Sequence, residues 1–349
     1  MKKILHIYLI KVVSILFLLQ LTFSGKTYSQ NYTEDFNLTF PKKIISNGNY
    51  NTINFIDSRS ETNDLGFVYS GVENKRTPVV PKTDFNTQFK KLLKNSIDSS
   101  TADGELLLQL RKFKFLEKPE RASEFGFCLL RADLYLKQDS TYKKLSRIDT
   151  IIIVESLDAT KPLFEETSNA LTEFVLKNLT KDFSNTDNYT FNQIIHIDSL
   201  EKNKIKLYNQ SQYTDGVYNT FENFKNQIPD FKILEVVYKQ EKTLIIKAQN
   251  KKNKKIKIRP DEFFAFVNEG KPYISAEYGC YPLEKKDNDF YFIGEGKIPN
   301  EKVFLTSETN DSNGVEVNKG PALTTQTAFY QIKLDHIDGS LMRVKEIKK

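Results

Sequence analysis

The chain has 349 residues, an apolar content of 39% and a formal net charge of +6. This length is enough for about two domains. Four of its lysines, Lys2, Lys3, Lys11 and Lys26, lie in an N-terminal segment that we expect to be removed, which lowers the net charge from +6 to +2. So small a charge argues against a nucleic acid partner.

Residues 1–29 have the pattern of an export signal. Two lysines stand at the start, the apolar run Val12–Phe23 forms the hydrophobic region, and the small residues Thr27 and Ser29 precede a cleavage point after Ser29. We therefore expect an exported protein, periplasmic or outer-membrane-associated, with no transmembrane segment after cleavage. An uncleaved membrane anchor is the alternative, although Lys11 interrupts its apolar stretch.

Residues 30–181 predict an α+β domain. Apolar residues recur at helical spacing in two segments, one opening at Thr83-Asp84 and one over Pro162–Leu179. The predicted strands are 36–41, 51–57, 105–115, 125–136 and 142–154. The apolar alternation of Glu105–Phe115 changes parity at Arg111, which predicts a bulge there. Consecutive strands joined by short turns should pair antiparallel, and two helices can cover one face of the sheet, which gives a two-layer α+β domain.

Short motifs in this domain carry a resemblance. Ile56-Asp-Ser-Arg59, then Leu65-Gly66, then a helix that begins near Pro81–Phe85, is similar to small envelope domains of the YajG-like lipoprotein type. The resemblance covers about residues 50–180. It implies an envelope location and transfers no catalytic residues. The chain lacks the lipid-attachment cysteine of that family, so we expect no lipid anchor.

The second half of the chain predicts a mostly-β antiparallel domain. Residues 182–189 are rich in Asn, Asp, Ser and Thr and predict a linker, which assigns residues 190–349 to the β-rich domain. Asp215-Gly216 predicts a turn, and Thr220 caps one short helix that Pro229 ends. The predicted strands are 232–238, 242–248, 256–258, 263–267, 273–277, 281–284, 290–293 and 328–337. Asp338-Gly339 predicts a tight turn into a last strand, and residues 306–321 predict a polar excursion.

Part of this half also resembles a group of proteins. The pattern is Asp215-Gly-Val-Tyr218, Thr220-Phe-Glu-Asn-Phe-Lys225, Pro229, Phe264-Ala-Phe266 and Tyr273-Ile274. It is similar to a segment that recurs in uncharacterised exported proteins of Bacteroidetes. The resemblance covers about residues 210–295 and implies no activity.

Two matching triplets, His196-Ile-Asp198 and His336-Ile-Asp338, are candidate metal ligands. On a strand, each triplet would place its histidine and aspartate on one face. A metal site needs at least three ligands that converge, and sequence alone cannot bring these two segments together. We therefore interpret both triplets as ordinary surface or edge positions and assign no metal.

Three other groups have a structural and a functional interpretation. Asp57 and Arg59 predict a local ion pair at a strand end, with a ligand-binding pair as the alternative. The run Lys251–Lys255 predicts a hairpin loop whose charges discourage edge pairing, with binding to an acidic glycan or lipid head group as the alternative. The aromatic residues predict partly covered strands, with an exposed ledge for a glycan or peptide as the alternative; they are Phe263, Phe264, Phe266, Tyr273, Tyr278, Tyr281, Phe290, Tyr291 and Phe292.

Cys128 and Cys280 lie in strand-like, apolar segments of different halves. An exported chain can form disulfides, so a bridge between them stays open. We favour two buried thiols. Neither has another cysteine or a histidine at metal-binding spacing.

The sequence contains no nucleophile elbow, phosphate loop or dinucleotide fingerprint. We therefore assign no catalytic, cofactor-binding or metal-binding residue and no cofactor. The expected function is that of a non-enzymatic binding or scaffold protein of the cell envelope, whose partner is another envelope protein or a second copy of the chain. The alternatives are a periplasmic hydrolase acting on an envelope polymer and a carrier of a small molecule or glycan.

Overall fold

The computed structural model describes residues 32–40, 42–59, 61–71, 74–120, 123–181, 187–239, 242–297 and 327–347. The predicted signal peptide, the predicted excursion at 306–321 and residues 182–186 of the predicted linker lie outside them. Contacts divide the chain into two compact units. The first runs to Leu134 and resumes over Leu145–Asp182; the second comprises Tyr135–Lys144 and the chain from Phe183 onward.

The first unit has the α+β architecture that the sequence predicts. Its elements are β1 (Glu34–Phe36), β2 (Thr52–Asp57), β3 (Phe67–Ser70), β4 (Lys75–Pro81), α1 (Phe85–Ser96), β5 (Glu105–Pro119), β6 (Glu124–Gln138), β7 (Thr141–Ser156) and α2 (Thr160–Leu176). The tip of the β6–β7 hairpin is counted here for continuity. The main sheet has the order β2-β5-β6-β7, and a short strand β8 (Asn188–Tyr189) pairs with the start of β7. The pairing of β2 with β5 is parallel, and the connection between them is a long crossover that contains β3, β4 and α1. A smaller sheet has the order β1-β4-β3.

Both helices cover the same face of the main sheet. The Asp84 side chain caps α1 by accepting a hydrogen bond from the Thr87 amide. On β5, the ring of Phe113 contacts Phe85 of α1, and the ring of Phe115 contacts Phe164 of α2. These two rings therefore mark the helix-covered face of the sheet.

The bulge that the sequence predicts in β5 agrees with its burial pattern. Residues 106–110 are all buried, the two consecutive residues at 111 and 112 are both half-buried, and burial then alternates, with Phe113 and Phe115 buried. Arg111 pairs with Asp133 on the face away from the helices, whereas Phe113 contacts α1. Two residues two apart on β5 thus lie on opposite faces, as a bulge between them would place them.

The second unit contains more helix than the sequence predicts. Its elements beyond β8 are α3 (Phe191–Ile195), α4 (Ile197–Lys202), α5 (Lys206–Asn209), β9 (Gly216–Tyr218), α6 (Phe221–Lys225), β10 (Lys232–Lys239), β11 (Lys242–Gln249), β12 (Lys255–Ile258), β13 (Ala265–Asn268), β14 (Lys271–Ala276), β15 (Gly279–Pro282), β16 (Glu284–Lys286), β17 (Asp289–Lys297), β18 (Thr327–Leu334) and β19 (Leu341–Ile347). Three antiparallel sheets have the orders β10-β11-β12, β15-β14-β13-β9 and β16-β17-β18-β19. The predicted short helix is α6, capped by Thr220. The helices α3, α4 and α5 were not predicted.

The predicted turn at Asp338-Gly339 is part of a longer loop. β18 ends at Leu334 and not at Ile337, because the Asp335 carboxylate accepts hydrogen bonds from the amides of Ile337 and Asp338 and turns the chain. His336 therefore lies in the loop between β18 and β19.

Among the described residues, no helix is both long enough and apolar enough to cross a membrane.

Candidate functional site

The main sheet of the first unit has an open edge along β7. In the described part of the chain, β8 pairs with β7 only at Tyr142 and Lys143, and no other strand borders β7 on that side. The edge of residues 144–156 therefore presents main-chain amide and carbonyl groups to a further strand.

Apolar side chains accompany this open edge. Ile151 and Ile153 are 54% and 61% exposed, and Leu157, just beyond the strand, is 86% exposed. On β6, the rings of Phe125 and Phe127 stack with centroids 6.5 Å apart and are only half-buried. We call these five residues the β7 edge surface. Exposed apolar residues grouped near one strand edge are typical of an interaction site.

Ion pairs between β6 and β7 show which face the β7 edge surface occupies. The guanidinium of Arg131 contacts Asp149, and that of Arg147 contacts Asp133, so odd-numbered residues of the two strands share one face. Gly126 lies on the opposite face, where a Cβ atom would come within 3.0 Å of the Leu163 side chain on α2. The four strand residues of the β7 edge surface are therefore on the side of the sheet opposite the helices.

The ion pairs also hold the hairpin in register. The Asp133 carboxylate is fully buried and accepts from Arg111 at 2.9 Å and from Arg147 at 2.7 and 2.8 Å. Two guanidinium groups thus stabilise one buried carboxylate. Their role is structural.

A second strand edge, in the other unit, is protected by charge. β12 borders its sheet and follows the predicted lysine loop, whose exposed side chains surround an Asn250 turn. The Asn250 side chain accepts from the amides of Lys252 and Lys254. Lysines here oppose strand addition, whereas the β-branched run Ile151–Val154 on β7 contains neither lysine nor proline.

The two His-Ile-Asp triplets lie in helices and a loop, not in strands, and one residue of each converges. Asp198 is on α4 and His336 is in the β18–β19 loop. Together with Glu201, their ligand atoms all lie within 4.8 Å of one another. His336 is buried, and its Nε2 lies 3.1 Å from Glu201 Oε2. Glu201 was not singled out from the sequence, although its spacing of three from Asp198 is a helical signal.

The other two triplet residues lie elsewhere. His196 joins α3 to α4, and its Nδ1 is 2.9 Å from the Asn192 carbonyl oxygen. The Asp338 carboxylate accepts from the Ser340 amide within the loop. Neither belongs to the converging group.

The Asp57–Arg59 pair is a local clamp, as the sequence favours. The guanidinium binds both Asp57 carboxylate oxygens at 2.9 and 2.6 Å. It also donates to the carbonyls of Thr62, Asp64 and Phe113. Since the Arg59 side chain is nearly fully buried, the pair fixes the loop after β2 and the bulge of β5.

Both cysteines are free thiols. Cys128 is fully buried against α2, and burial raises the pKa of its thiol to about 12, opposed in part by a hydrogen bond with Thr167. Cys280 is half-buried. The aromatic residues lie on partly covered strands, as the sequence favours. Four of the nine are buried in the second unit, namely Phe263, Phe266, Phe290 and Phe292, and Phe264, Tyr273 and Tyr281 are partly buried against them.

One open groove in the second unit carries carboxylates. It is lined by β10 together with Asp215 and Glu269, and it also contains Glu235. Asp215 accepts from the Gly270 amide, and Glu235 pairs with Lys247 at 2.7 Å. These contacts give the two carboxylates structural roles.

Comparison with known proteins identifies no family for this chain. No protein family model matches the chain, and no curated protein matches it. Among solved structures, it is similar to protein XCC0632 from Xanthomonas campestris, described under the family model DUF330, with 11% identity and a TM-score of 0.25. The match covers 49% of this chain and 97% of the other. A likeness at this level carries no argument about function.

Proposed function

We propose that this chain is an exported, non-enzymatic envelope protein that binds an extended segment of another envelope protein along the open edge of β7. The observation that supports this most directly is the exposure of Ile151 and Ile153 on a strand edge with no neighbour in the described residues. Strand addition joins a peptide to such an edge through main-chain hydrogen bonds, while pockets for alternate side chains give specificity.

The surface indicates what the partner segment looks like. Because Ile151, Ile153 and Phe127 share one face, the partner should place apolar side chains at alternate positions of an extended stretch. Full burial of an isoleucine contributes about 1.5–3 kcal/mol. Covering two half-exposed isoleucines therefore contributes on the order of 2–3 kcal/mol, which suits a reversible docking contact.

Site-specific crosslinking tests the proposal. A photo-crosslinking amino acid replaces Ile153 in cells that export the chain, and adducts are identified by mass spectrometry. We expect one reproducible adduct with another envelope protein, and about tenfold less of it when Ile151→Lys is added, since a buried lysine opposes the contact. The same amino acid at the exposed Glu166 of α2, on the helix-covered side, should give no such adduct.

Two outcomes would contradict the proposal. Equal adducts at positions 153 and 166 would mean random collision, and an adduct of twice the chain mass would make the partner a second copy. Ile151→Lys changes an exposed side chain, so it should alter the free energy of unfolding by no more than about 0.5 kcal/mol. Thermal unfolding of the purified variant checks this.

Export has its own test. N-terminal sequencing of the chain from an envelope fraction should begin at Gln30, which follows the predicted cleavage point. A chain that still begins at Met1 and stays with the membrane would support the anchor alternative.

A further inference from the structure

We propose that Asp198, Glu201 and His336 bind a divalent transition-metal ion. The three side chains come from α4 and from the β18–β19 loop, and their ligand atoms lie within 4.8 Å of one another. This site is separate from the β7 edge surface and does not depend on the proposed function.

The ligand set defines the kind of ion. One imidazole and two carboxylates match the nitrogen and oxygen ligands of Zn²⁺, and carboxylates with imidazole also suit Mn²⁺ and Fe²⁺. Two carboxylates balance the charge of a dication. Three protein ligands leave at least one coordination position for water.

The spacing of the ligand atoms needs little adjustment. Bonds of about 2.1 Å place the ligand atoms of a tetrahedral ion about 3.4 Å apart. His336 and Glu201 already approach to 3.1 Å. Asp198 is exposed, so its side chain can rotate to close the remaining distance.

The surrounding structure holds the ligands in place. Asp198 and Glu201 are three residues apart and so lie on one face of α4. The His336 ring packs edge-on against Tyr208, with centroids 6.3 Å apart, and is 5% exposed.

Two lysines near the site pair with a carboxylate that is not one of the three proposed ligands. Lys202 and Lys333 bind the two oxygens of Asp289, at 2.6 and 2.8 Å. Asp289 is therefore the main partner of both ammonium groups, and Lys333 also interacts electrostatically with Asp198.

Metal titration of the untagged, chelator-treated chain tests the proposal. Calorimetry with Zn²⁺ and with Mn²⁺, together with elemental analysis after dialysis, should give one bound ion per chain with either metal. We expect His336→Gln, Glu201→Gln and Asp198→Asn each to weaken binding about tenfold or more. Bound metal should also raise the melting temperature of the original chain, because it binds the folded state.

The twin triplet supplies matched controls. His196→Gln and Asp338→Asn remove the same residue types from positions outside the group and should leave binding unchanged. Equal loss in these controls, unchanged binding in His336→Gln, or no saturable binding by the original chain would each overturn the proposal. If His336→Gln fails to fold, Asp198→Asn decides the question, because it alters an exposed side chain.

Discussion

Glu117 on β5 is a carboxyl group held largely out of water. Its two oxygens accept hydrogen bonds from the Tyr69 amide and from the Thr160 hydroxyl. Burial is the main cause that raises its pKa to about 7, and the nearby carboxylates of Glu124 and Asp158 act in the same direction. The hydrogen bonds oppose the shift without cancelling it.

This shift predicts how the stability of the protein depends on pH. The pKa of Glu117 is about 7 in the folded state against an ordinary value of 4.5, so between these values the folded state keeps a proton that the unfolded state releases. The free energy of unfolding contributed by Glu117 therefore falls as pH rises from about 4.5 to about 7, by on the order of 2 kcal/mol. Glu117→Gln, whose amide can serve both hydrogen-bond partners, should remove that decrease.

Denaturant unfolding at several pH values from about 4.5 to about 8 measures the effect. The comparison is between the original chain and Glu117→Gln, which share every other titrating group. Curves that run parallel across this window would contradict the assignment to Glu117.

At the scale of elements, Gly339 fixes the loop that carries His336. Its φ of +75° favours glycine, and a Cβ atom there would lie 2.4 Å from the Phe221 ring on α6. The loop therefore packs on α6 at a distance that only glycine permits.

Gly339→Ala should lower the free energy of unfolding for two separable reasons. The positive φ alone costs roughly 1–2 kcal/mol, and the clash with Phe221 adds about 1–3 kcal/mol. Gly270→Ala is the matched control, since Gly270 has a φ of +72° and a Cβ atom there would meet nothing within 4 Å. Thermal unfolding should show the larger loss for Gly339→Ala; equal losses would mean that the contact with Phe221 contributes nothing.

Elements with strong local signals could be predicted from the sequence. The apolar spacing and the Asp84 cap gave α1, and the parity change at Arg111 gave the bulge of β5. The helices after the linker were missed, although Thr190 and Gln193 form a capping box at the start of α3 that could have been recognised as a helix signal. Local chemistry was thus sufficient for these elements, but not for the end of β18, where the Asp335 carboxylate turns the chain before Ile337.

The candidate sites depend on contacts that no local signal encodes. Glu201 and His336 meet across 135 positions of sequence, so only the tertiary fold shows that they converge. The open edge of β7 follows from strand order, since Ile151–Val154 would be equally β-prone inside a sheet. A sequence can show which residues favour a β-strand, but not which strand lies at the edge of the sheet.

At the scale of the whole molecule, the tip of the β6–β7 hairpin belongs with the second unit. Contacts assign Tyr135–Lys144 to that unit, although the sequence predicts a boundary only at 182–189. The fully buried Tyr135 ring lies 6.0 Å from Tyr189, and the Tyr142 ring lies 6.0 Å from Phe191. Asp133 and Tyr135, two residues apart on β6, thus belong to different units.

Paired substitutions on β6 test this assignment. Tyr135→Ala removes a buried aromatic ring, at about 3–5 kcal/mol, and hydrogen exchange should rise in peptides spanning 187–200. Asp133→Asn leaves buried guanidinium groups without their carboxylate, also at about 3–5 kcal/mol, and exchange should rise in peptides spanning 105–119. The two substitutions should lower the free energy of unfolding by similar amounts and lie two residues apart. A difference in where exchange rises therefore reflects the unit to which each residue belongs. Increases in the same peptides for both variants would show that the hairpin unfolds as a single part of the first unit.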